Sequence, residues 1–465
     1  MPTNPAQLGL REAARRIAGG KLSPIELLDA ALAQIDRFNP ELNAFIAVTA
    51  QSAREAASRA ERAVSRRGRG RLGPLHGVPL SLKDLILSRE APTTAGSKIF
   101  GPGLPANTDA PVAARLRRAG AVIIGKTNLH EVALGVTTLN EHFGTARNPW
   151  NPALIPGGSS GGSAVAVATG MGQASIGSDT RGSIRIPAAC CGITGLKPSY
   201  GLVSTEGVVP LAATLDHVGP MTRSAEDAAV VLGAMVGRRA LADRFLRAVD
   251  RKPRSLTIAI SEYFVRDADP EIVASVEEAA RQLAKLGHRI VAVEIPELDA
   301  ALEASRVIVL AEAVAFHDRH LKDNPGGYGP IVKSRLEGGY QLSAMQYVKA
   351  EEHRVMLLAA YAELFHEVDV LVGACLPVTP PPIGTQTIRL AGQEISISEA
   401  LCRYNAPQNL TGVPALAIPC GITRSKVPIG MQLIAGLGRD ATVLAIGAQF
   451  QRATDWHVKC RVPAI

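Results

Sequence analysis

The sequence predicts an α/β protein: one large domain on a mixed, mostly parallel, twisted sheet covered on both faces by helices. Three observations carry this. Stretches of helical periodicity alternate with short apolar runs of strand length through much of the 465 residues, the grammar of parallel strands joined by helical crossovers. Forty-four glycines against nine phenylalanines fit many tight strand–helix turns. No internal repeat and no low-complexity linker divides the chain, so its length is read as one deep core.

The elements follow in order. Ser23-Pro24-Ile25-Glu26 is a capping box with proline at the first helical position, and Leu27, Leu28, Ala31, Leu32 and Ile35 share one face of the helix it opens. Residues 1–60 are read as an N-terminal helical annex and 61–465 as the main domain. Residues 78–83 are a short buried strand, 109–118 a helix stopped by Gly120, and 121–125 an apolar strand. The pattern resumes with a strand at 256–261, a helix over 270–286 closed by Gly287, and a strand at 289–294. A long amphipathic helix spans 343–368. Strands at 370–373, 415–419 and 430–434 and a helix over 441–453 complete the chain. Segments 321–340 and 376–412, rich in Gly, Pro and Asn, read as long surface connections of the kind that shape a pocket.

Bulk properties exclude several classes. Apolar content of 46% and charged content of 20% are those of a globular enzyme and rule out disorder over most of the length. Much of the net charge of +8 sits at Arg59, Arg62, Arg66, Arg67, Arg69 and Arg71, beside Gly68, Gly70 and Gly73. With no aromatic side chains interleaved to stack on bases, this stretch reads as a solvated helix end and mobile loop rather than a nucleic-acid or membrane patch. The six cysteines (Cys190, Cys191, Cys375, Cys402, Cys420 and Cys460) form no CxxC or CxxH pair, so no metal and no cofactor is expected. Adjacent Cys190 and Cys191 read as core residues in a reducing compartment. The chain opens without an apolar signal region and has no window of about eighteen uncharged apolar residues, so no signal peptide, no membrane span and a cytoplasmic location are expected.

Two serine-bearing loops carry the functional signal. Residues 157–163 read Gly-Gly-Ser-Ser-Gly-Gly-Ser, and residues 178–185 read Ser-Asp-Thr-Arg-Gly-Ser-Ile-Arg. Upstream, Lys83 ends the apolar run Val78-Pro79-Leu80-Ser81-Leu82. Ser160 and Ser163 have glycine neighbours but do not form the Gly-x-Ser-x-Gly elbow of a Ser-His-Asp hydrolase, and no motif singles out any of the ten histidines as a base. A lysine kept neutral is the alternative. Enclosure disfavours the ammonium, and a pKa lowered by about three from its usual value near 10.4 corresponds to roughly 4 kcal/mol. Asp84 would oppose this if it touched Lys83, but successive strand side chains point to opposite faces. On the residues alone, a lysine capping a strand end in solvent is the competing reading.

These segments closely resemble the signature of the amidase signature family. Weaker similarity runs from Leu75-His76-Gly77-Val78-Pro79 through Asp216-His217-Val218-Gly219-Pro220-Met221 to Pro428-Ile429-Gly430-Met431-Gln432-Leu433, so it covers essentially the whole chain. The resemblance implies the amidase signature fold and a Ser–cis-Ser–Lys unit: Lys83 as base, Ser159 as relay after a cis peptide, and Ser183 as nucleophile. The spacing of 24 from Ser159 to Ser183 matches the family's pattern. Backbone N–H groups of Thr180, Arg181, Gly182 and Ser183 are the expected oxyanion hole. Ser160 is the rival relay, placed second as a hydrogen-bonding neighbour, and Asp179 is expected to order the loop by pairing with Arg185. Arg181 departs from the family, which usually has glycine or another small residue there. Its guanidinium is expected to overhang the pocket and meet a carbonyl or carboxylate of the substrate, the competing placement being solvent.

The implied activity is hydrolysis of a carboxylic amide through an acyl-serine, on a small or aryl amide, with esters and carbamates open to the same route. The expected partner is a small-molecule amide; neither membrane nor nucleic acid is expected, and a homodimer is left open. The alternative is the A subunit of a glutamyl-tRNA(Gln)/aspartyl-tRNA(Asn) amidotransferase, a close relative with glutaminase activity. Its members typically carry an Arg-Tyr-Asp-Gly-x-Arg-Tyr-Gly-like stretch beyond the position of Glu312; this chain has Phe316-His317-Asp318-Arg319-His320 and then Gly327-Tyr328-Gly329. A non-catalytic nucleic-acid binder using residues 59–71 is set aside because Lys83, Ser159 and Ser183 are all present. Specificity is expected to reside in residues 300–345 and 376–412.

Overall fold

The computed structural model describes residues 4–65, 72–460 and 462; most of the arginine–glycine stretch, residues 66–71, lies outside them. Thirteen strands are described: β1 (Phe45–Val48), β2 (Pro79–Lys83), β3 (Val122–Thr127), β4 (Ala174–Asp179), β5 (Thr194–Lys197), β6 (His217–Thr222), β7 (Thr257–Ile260), β8 (Arg289–Ala292), β9 (Val370–Ala374), β10 (Thr387–Leu390), β11 (Gln393–Ser396), β12 (Ala415–Ile422) and β13 (Pro428–Ile434). Eleven form one mixed sheet in the order β1-β3-β2-β4-β6-β5-β12-β13-β9-β7-β8, and β10 and β11 form a separate hairpin.

The alternation of helix and strand holds where it predicts parallel pairing. β2 and β3 are parallel, with the helix Pro111–Arg118 between them. β7 and β8 are parallel, with the helix Pro270–Lys285 between them. The centre differs. From β4 through β6, β5, β12 and β13 to β9 every pairing is antiparallel; some pairs are consecutive strands, such as β12 and β13 across residues 423–427, and others, such as β5 with β12, join distant parts of the chain. β12, for example, lies between β5 and β13.

The capping box at Ser23 is formed, with its hydroxyl accepting from Ile25 and Glu26 N–H and the Glu26 carboxylate accepting from Ser23 N–H. The chain leaves this helix through Asn43 in a left-handed conformation and enters β1, which pairs antiparallel with β3 at the sheet edge. Segments 321–340 and 376–412 are more ordered than plain surface connections. The helix Ala301–Asp323 runs into the first and the helix Pro330–Gly339 fills most of its remainder. The second contains the β10–β11 hairpin and the helices Ile397–Cys402 and Ala406–Leu410. Some of their glycines serve close packing rather than turns: a Cβ on Gly339 would lie 2.8 Å from the Leu310 carbonyl oxygen. Among the described residues no helix is long and apolar enough to cross a membrane.

Two helices begin immediately after the serine loops, Gly161–Thr169 and Arg185–Cys191, and nearly every residue in them is buried. They pack against the sheet and against each other. Leu416, fully buried in β12, packs where a Cβ on Gly447 of the helix Asp440–Thr454 would come within 2.5 Å of its Cδ2. Leu416→Ala is expected to cost about 2–5 kcal/mol, read as a lower urea midpoint. An unchanged midpoint would place the core elsewhere.

Candidate active site

Lys83 ends β2 beside β3 and β4 and is fully buried. Its Nζ donates to Ser159 Oγ at 2.7 Å and to Ser178 Oγ at 2.8 Å. Burial pushes the ammonium down to about 7, against the pull of the Asp216 and Asp179 carboxylates. Asp84 faces away, as strand alternation requires. Its carboxylate accepts from Thr94 N–H at 3.0 Å and from the Thr94 hydroxyl, and lies 3.5 Å from Lys126 Nζ.

The first serine loop is held by its backbone. The Gly158–Ser159 peptide is cis. Ser159 C=O accepts from His130 N–H at 3.1 Å, and Thr138 Oγ1 donates to Gly157 C=O at 2.8 Å while accepting from Gly161 N–H at 3.1 Å. A Cβ on Gly158 would lie 2.8 Å from Thr137 N and from Val136 C, so no larger residue fits there. Ser160 Oγ donates to Ser178 C=O at 3.1 Å and accepts from Ser178 N–H at 3.3 Å. Ser160 N–H donates to Ser183 C=O at 3.2 Å, which ties the two serine loops together.

The second loop is organised by Asp179. Its carboxylate accepts from the N–H groups of Gly182 at 2.8 Å and Ile184 at 3.1 Å, and from Arg185 Nε at 3.1 Å. Arg185 and Asp179 are both fully buried. The guanidinium is shared further with Gln408 at 3.0 Å, Asn405 C=O at 2.9 Å and Asn409 Oδ1 at 2.7 Å. Burial alone would raise the Asp179 carboxyl; the Arg185 charge and hydrogen bonds outweigh it and hold the group well below the usual carboxylate range.

This geometry corrects one expectation. Gly182 N–H is not free for an oxyanion, because Asp179 already accepts it. The N–H groups of Thr180, Arg181 and Ser183 have no acceptor among the described residues. Gly182 has φ 114°, and a Cβ there would lie 2.6 Å from Asn405 Cβ. The left-handed conformation of the turn therefore falls on residue 182, and the backbone tolerates a side chain at Arg181.

Ser183 opens onto a cavity of about 180 Å³ walled by Leu134, Val136, Leu211, Val309 and Leu310, with Arg181, Arg306, Arg335, Ser396, Ser398 and Glu399 as its polar and charged lining. Arg181 Nη2 donates to Leu302 C=O at 3.4 Å, while its buried Nε has no partner among the described residues. Arg335 Nη1 donates to Leu134 C=O at 2.8 Å. Residues from both 300–345 and 376–412 line this cavity.

Sequence reasoning missed Ser178 and Asp216. Ser178 lies inside the quoted motif and, as a polar residue near the end of a buried strand, was visible as a candidate. Asp216 accepts from Thr180 Oγ1 at 2.6 Å and from the N–H groups of Leu211 at 2.9 Å and Ala212 at 3.2 Å. Burial pushes it up to about 6 against those hydrogen bonds. Its link to the serine loop runs through Thr180, 36 residues upstream, so spacing alone could not mark it.

Asp179→Asn leaves the Arg185 charge buried without its counterion and is expected to cost about 3–5 kcal/mol at pH 7. A carboxyl held low in the folded state stabilises it above the unfolded value near 3.9, and that contribution is lost as pH falls toward the folded value. The difference in urea midpoint between wild type and variant should therefore shrink as pH is lowered from about 5. A difference independent of pH would contradict this.

Comparisons with known proteins agree with this picture. The family model described as Amidase matches residues 26–444. The chain is 38% identical to the glutamyl-tRNA(Gln) amidotransferase A subunit of Roseiflexus sp. (strain RS-1), over 97% of this chain and 98% of the relative. Among solved structures it is similar to an amidase at a TM-score of 0.87 and 36% identity, covering 96% of this chain and 99% of the other. It is also similar to the glutamyl-tRNA(Gln) amidotransferase A subunit from Thermotoga maritima, with a TM-score of 0.80 and 31% identity, covering 98% and 96%. The matched range spans residues 26–444, and the chain belongs to the amidase signature family of enzymes acting on carbon–nitrogen bonds.

Proposed function

We propose that the protein cleaves a carboxylic amide through an acyl intermediate on Ser183. The observation that supports this best is the buried Lys83 amine 2.7 Å from Ser159 Oγ, on a loop tied to the backbone of Ser183. Neutral Lys83 takes the Ser159 proton as Ser159 takes that of Ser183, and Ser183 Oγ attacks the carbonyl carbon. Backbone N–H groups of Thr180, Arg181 and Ser183 receive the oxyanion, each well-placed donor contributing about 3–4 kcal/mol. The C–N bond then breaks, the leaving nitrogen takes a proton back along the same chain, and a second nucleophile releases the acyl group from Ser183. Ser178 acts as a positioning residue: it accepts one Lys83 N–H, so that in the neutral amine the lone pair takes the place of the N–H donated to Ser159 Oγ and the Ser159 hydroxyl becomes the donor.

Glutamine is the first amide to test. The similarity to amidotransferase relatives extends over nearly the whole chain, and it weights the amidotransferase reading above the stand-alone amidase. Glutamine also carries a carboxylate suited to Arg181 and Arg335, and an ammonium suited to Glu399. In this reading the released ammonia passes to an acyl-tRNA with the help of partner proteins. Direct hydrolysis of a small or aryl amide is the second reading, and specific observations favour it. Residues 316–320 replace the stretch typical of the amidotransferases and lie in a helix where His317 packs under Tyr328, 3.0 Å from its hydroxyl. Arg181 replaces a small residue, and the likeness to a solved amidase is closer than to a solved amidotransferase. Ammonia release from glutamine, with partner proteins co-purifying, supports the first reading. Turnover of anilides or carbamates with no release from glutamine supports the second.

With Lys83 active as the free amine and its pKa near 7, kcat/KM should rise through about pH 7 and level off above it. A rate falling across that range would contradict the assignment. Lys83→Ala should lower kcat by about 10²–10⁴-fold, and Ser183→Ala should abolish fluorophosphonate labelling. Arg181→Gly should reduce the preference for carboxylate-bearing over neutral amides by about tenfold or more, the loss of one charge-assisted hydrogen bond; an unchanged preference would place Arg181 outside substrate recognition.

A further inference from the structure

The helices Arg239–Asp250 and Asp440–Thr454 pack against each other. Beside their contact lies a groove of about 340 Å³ that shares no lining residue with the cavity at Ser183. Five arginines line it: Arg244, Arg247, Arg251, Arg254 and Arg439. All five are exposed, and none of their side chains makes a hydrogen bond or an ion pair among the described residues. Between them lie small apolar side chains, Ala248, Ala441 and Ala445.

So many unpaired arginines in one place depart from the rest of the surface. Arg15, Arg281, Arg306 and Arg319 each meet a carboxylate three or four residues away. Around the groove the nearby acids are committed elsewhere. Asp243 and Asp250 stand four residues before and three residues after Arg247, the spacings at which helical side chains pair. Asp243 nevertheless faces Arg239 at 3.9 Å and Asp250 faces Arg11 at 2.6 Å. Asp440 accepts from the Ser199 N–H at 2.8 Å and from its hydroxyl at 2.6 Å. Asp369, the one acid among the described lining residues, accepts from Thr257 N–H at 3.0 Å. Arg439 also stands at the N-terminus of its helix, the end that favours an anion over a cation.

Five permanent cations gathered without a counterion repel one another, and a bound polyanion relieves that repulsion. Guanidinium forks match phosphate oxygens two at a time. The cations come from two helices and the segment after the first, around one concavity, so they suit anionic groups held close together. No aromatic ring is among the described lining residues, so nothing here stacks on a base. We infer that this groove binds an oligophosphate, a linear chain of phosphate groups, either free or as the tail of a nucleotide. Recognition falls on the phosphates alone, and it does not depend on the reaction at Ser183.

Titration calorimetry of the full chain with sodium triphosphate, in magnesium-free buffer at low ionic strength, tests this. Circular dichroism confirms that each variant is folded. Triphosphate should bind at one site, and orthophosphate about a hundredfold more weakly. Adenosine triphosphate should match triphosphate within about threefold; binding tenfold tighter or more would keep the site and identify a nucleotide as its source. Arg247→Ala should weaken triphosphate binding by about tenfold, and Arg247→Glu with Arg251→Glu should abolish it. Arg319→Glu, a charge reversal outside the groove, should leave it unchanged. A wild type that binds no triphosphate would overturn the inference, as would an equal loss in Arg319→Glu. So would tighter binding of single-stranded RNA or polyglutamate that displaces triphosphate, which would make the groove a docking face for a macromolecule.

Discussion

Enclosing an amine without giving it a carboxylate is the constraint around which this site is arranged. Lys83 is fully buried, and a carboxylate in contact would keep it charged. Each nearby acid is engaged elsewhere. Asp84 turns to Thr94 and Lys126, Asp179 is committed to Arg185 and to loop N–H groups, and Asp216 accepts from Thr180 and two backbone N–H groups. Lys83 itself meets the hydroxyls of Ser159 and Ser178. Desolvation then outweighs the more distant charges and brings the amine near neutrality. The polar network is the reason that this buried lysine can be neutral.

The same network fixes the loops. Asp179 orders the turn that presents Ser183, and Arg185 anchors Asp179 to Gln408, Asn405 and Asn409, residues that the sequence places more than two hundred positions away. The segment 376–412 thus does two things at once. Its buried end holds the loop geometry, while Ser396, Ser398, Glu399 and Cys402 line the cavity. Variation in the cavity wall can leave the loop untouched, because the two roles fall on different residues of one segment.

Much of this was legible in the residues, and what was not has a common cause. Strands ending in Lys83 and beginning near Val122 announce themselves because their apolar runs are short and bounded. The serine loops are visible because glycine is needed where backbone approaches backbone, as at Gly158. The Asp179–Arg185 pair is local, so a sequence can suggest it. The antiparallel centre of the sheet is only partly local: β12 and β13 are consecutive, but β5 meets β12 and β9 meets β13 after long excursions, and no periodicity reports their order. Helices within 321–340 and 376–412 were hidden because Gly and Pro there mark close packing and helix starts, as at Gly339 and Pro330, not only turns. The loss of Gly182 N–H to Asp179 depends on a side-chain direction that spacing does not carry. The Arg66–Arg71 stretch lies outside the described residues.

The central claim is the charge state of one amine. Nuclear magnetic resonance of the protein with ¹³C-labelled lysine side chains, titrated from about pH 5 to pH 11 and compared with Lys83→Met to assign the signal, reads it directly. The account predicts one Cε resonance, absent from the variant, that titrates near pH 7. A Lys83 resonance that titrates with the solvent-exposed lysines near 10 would contradict it.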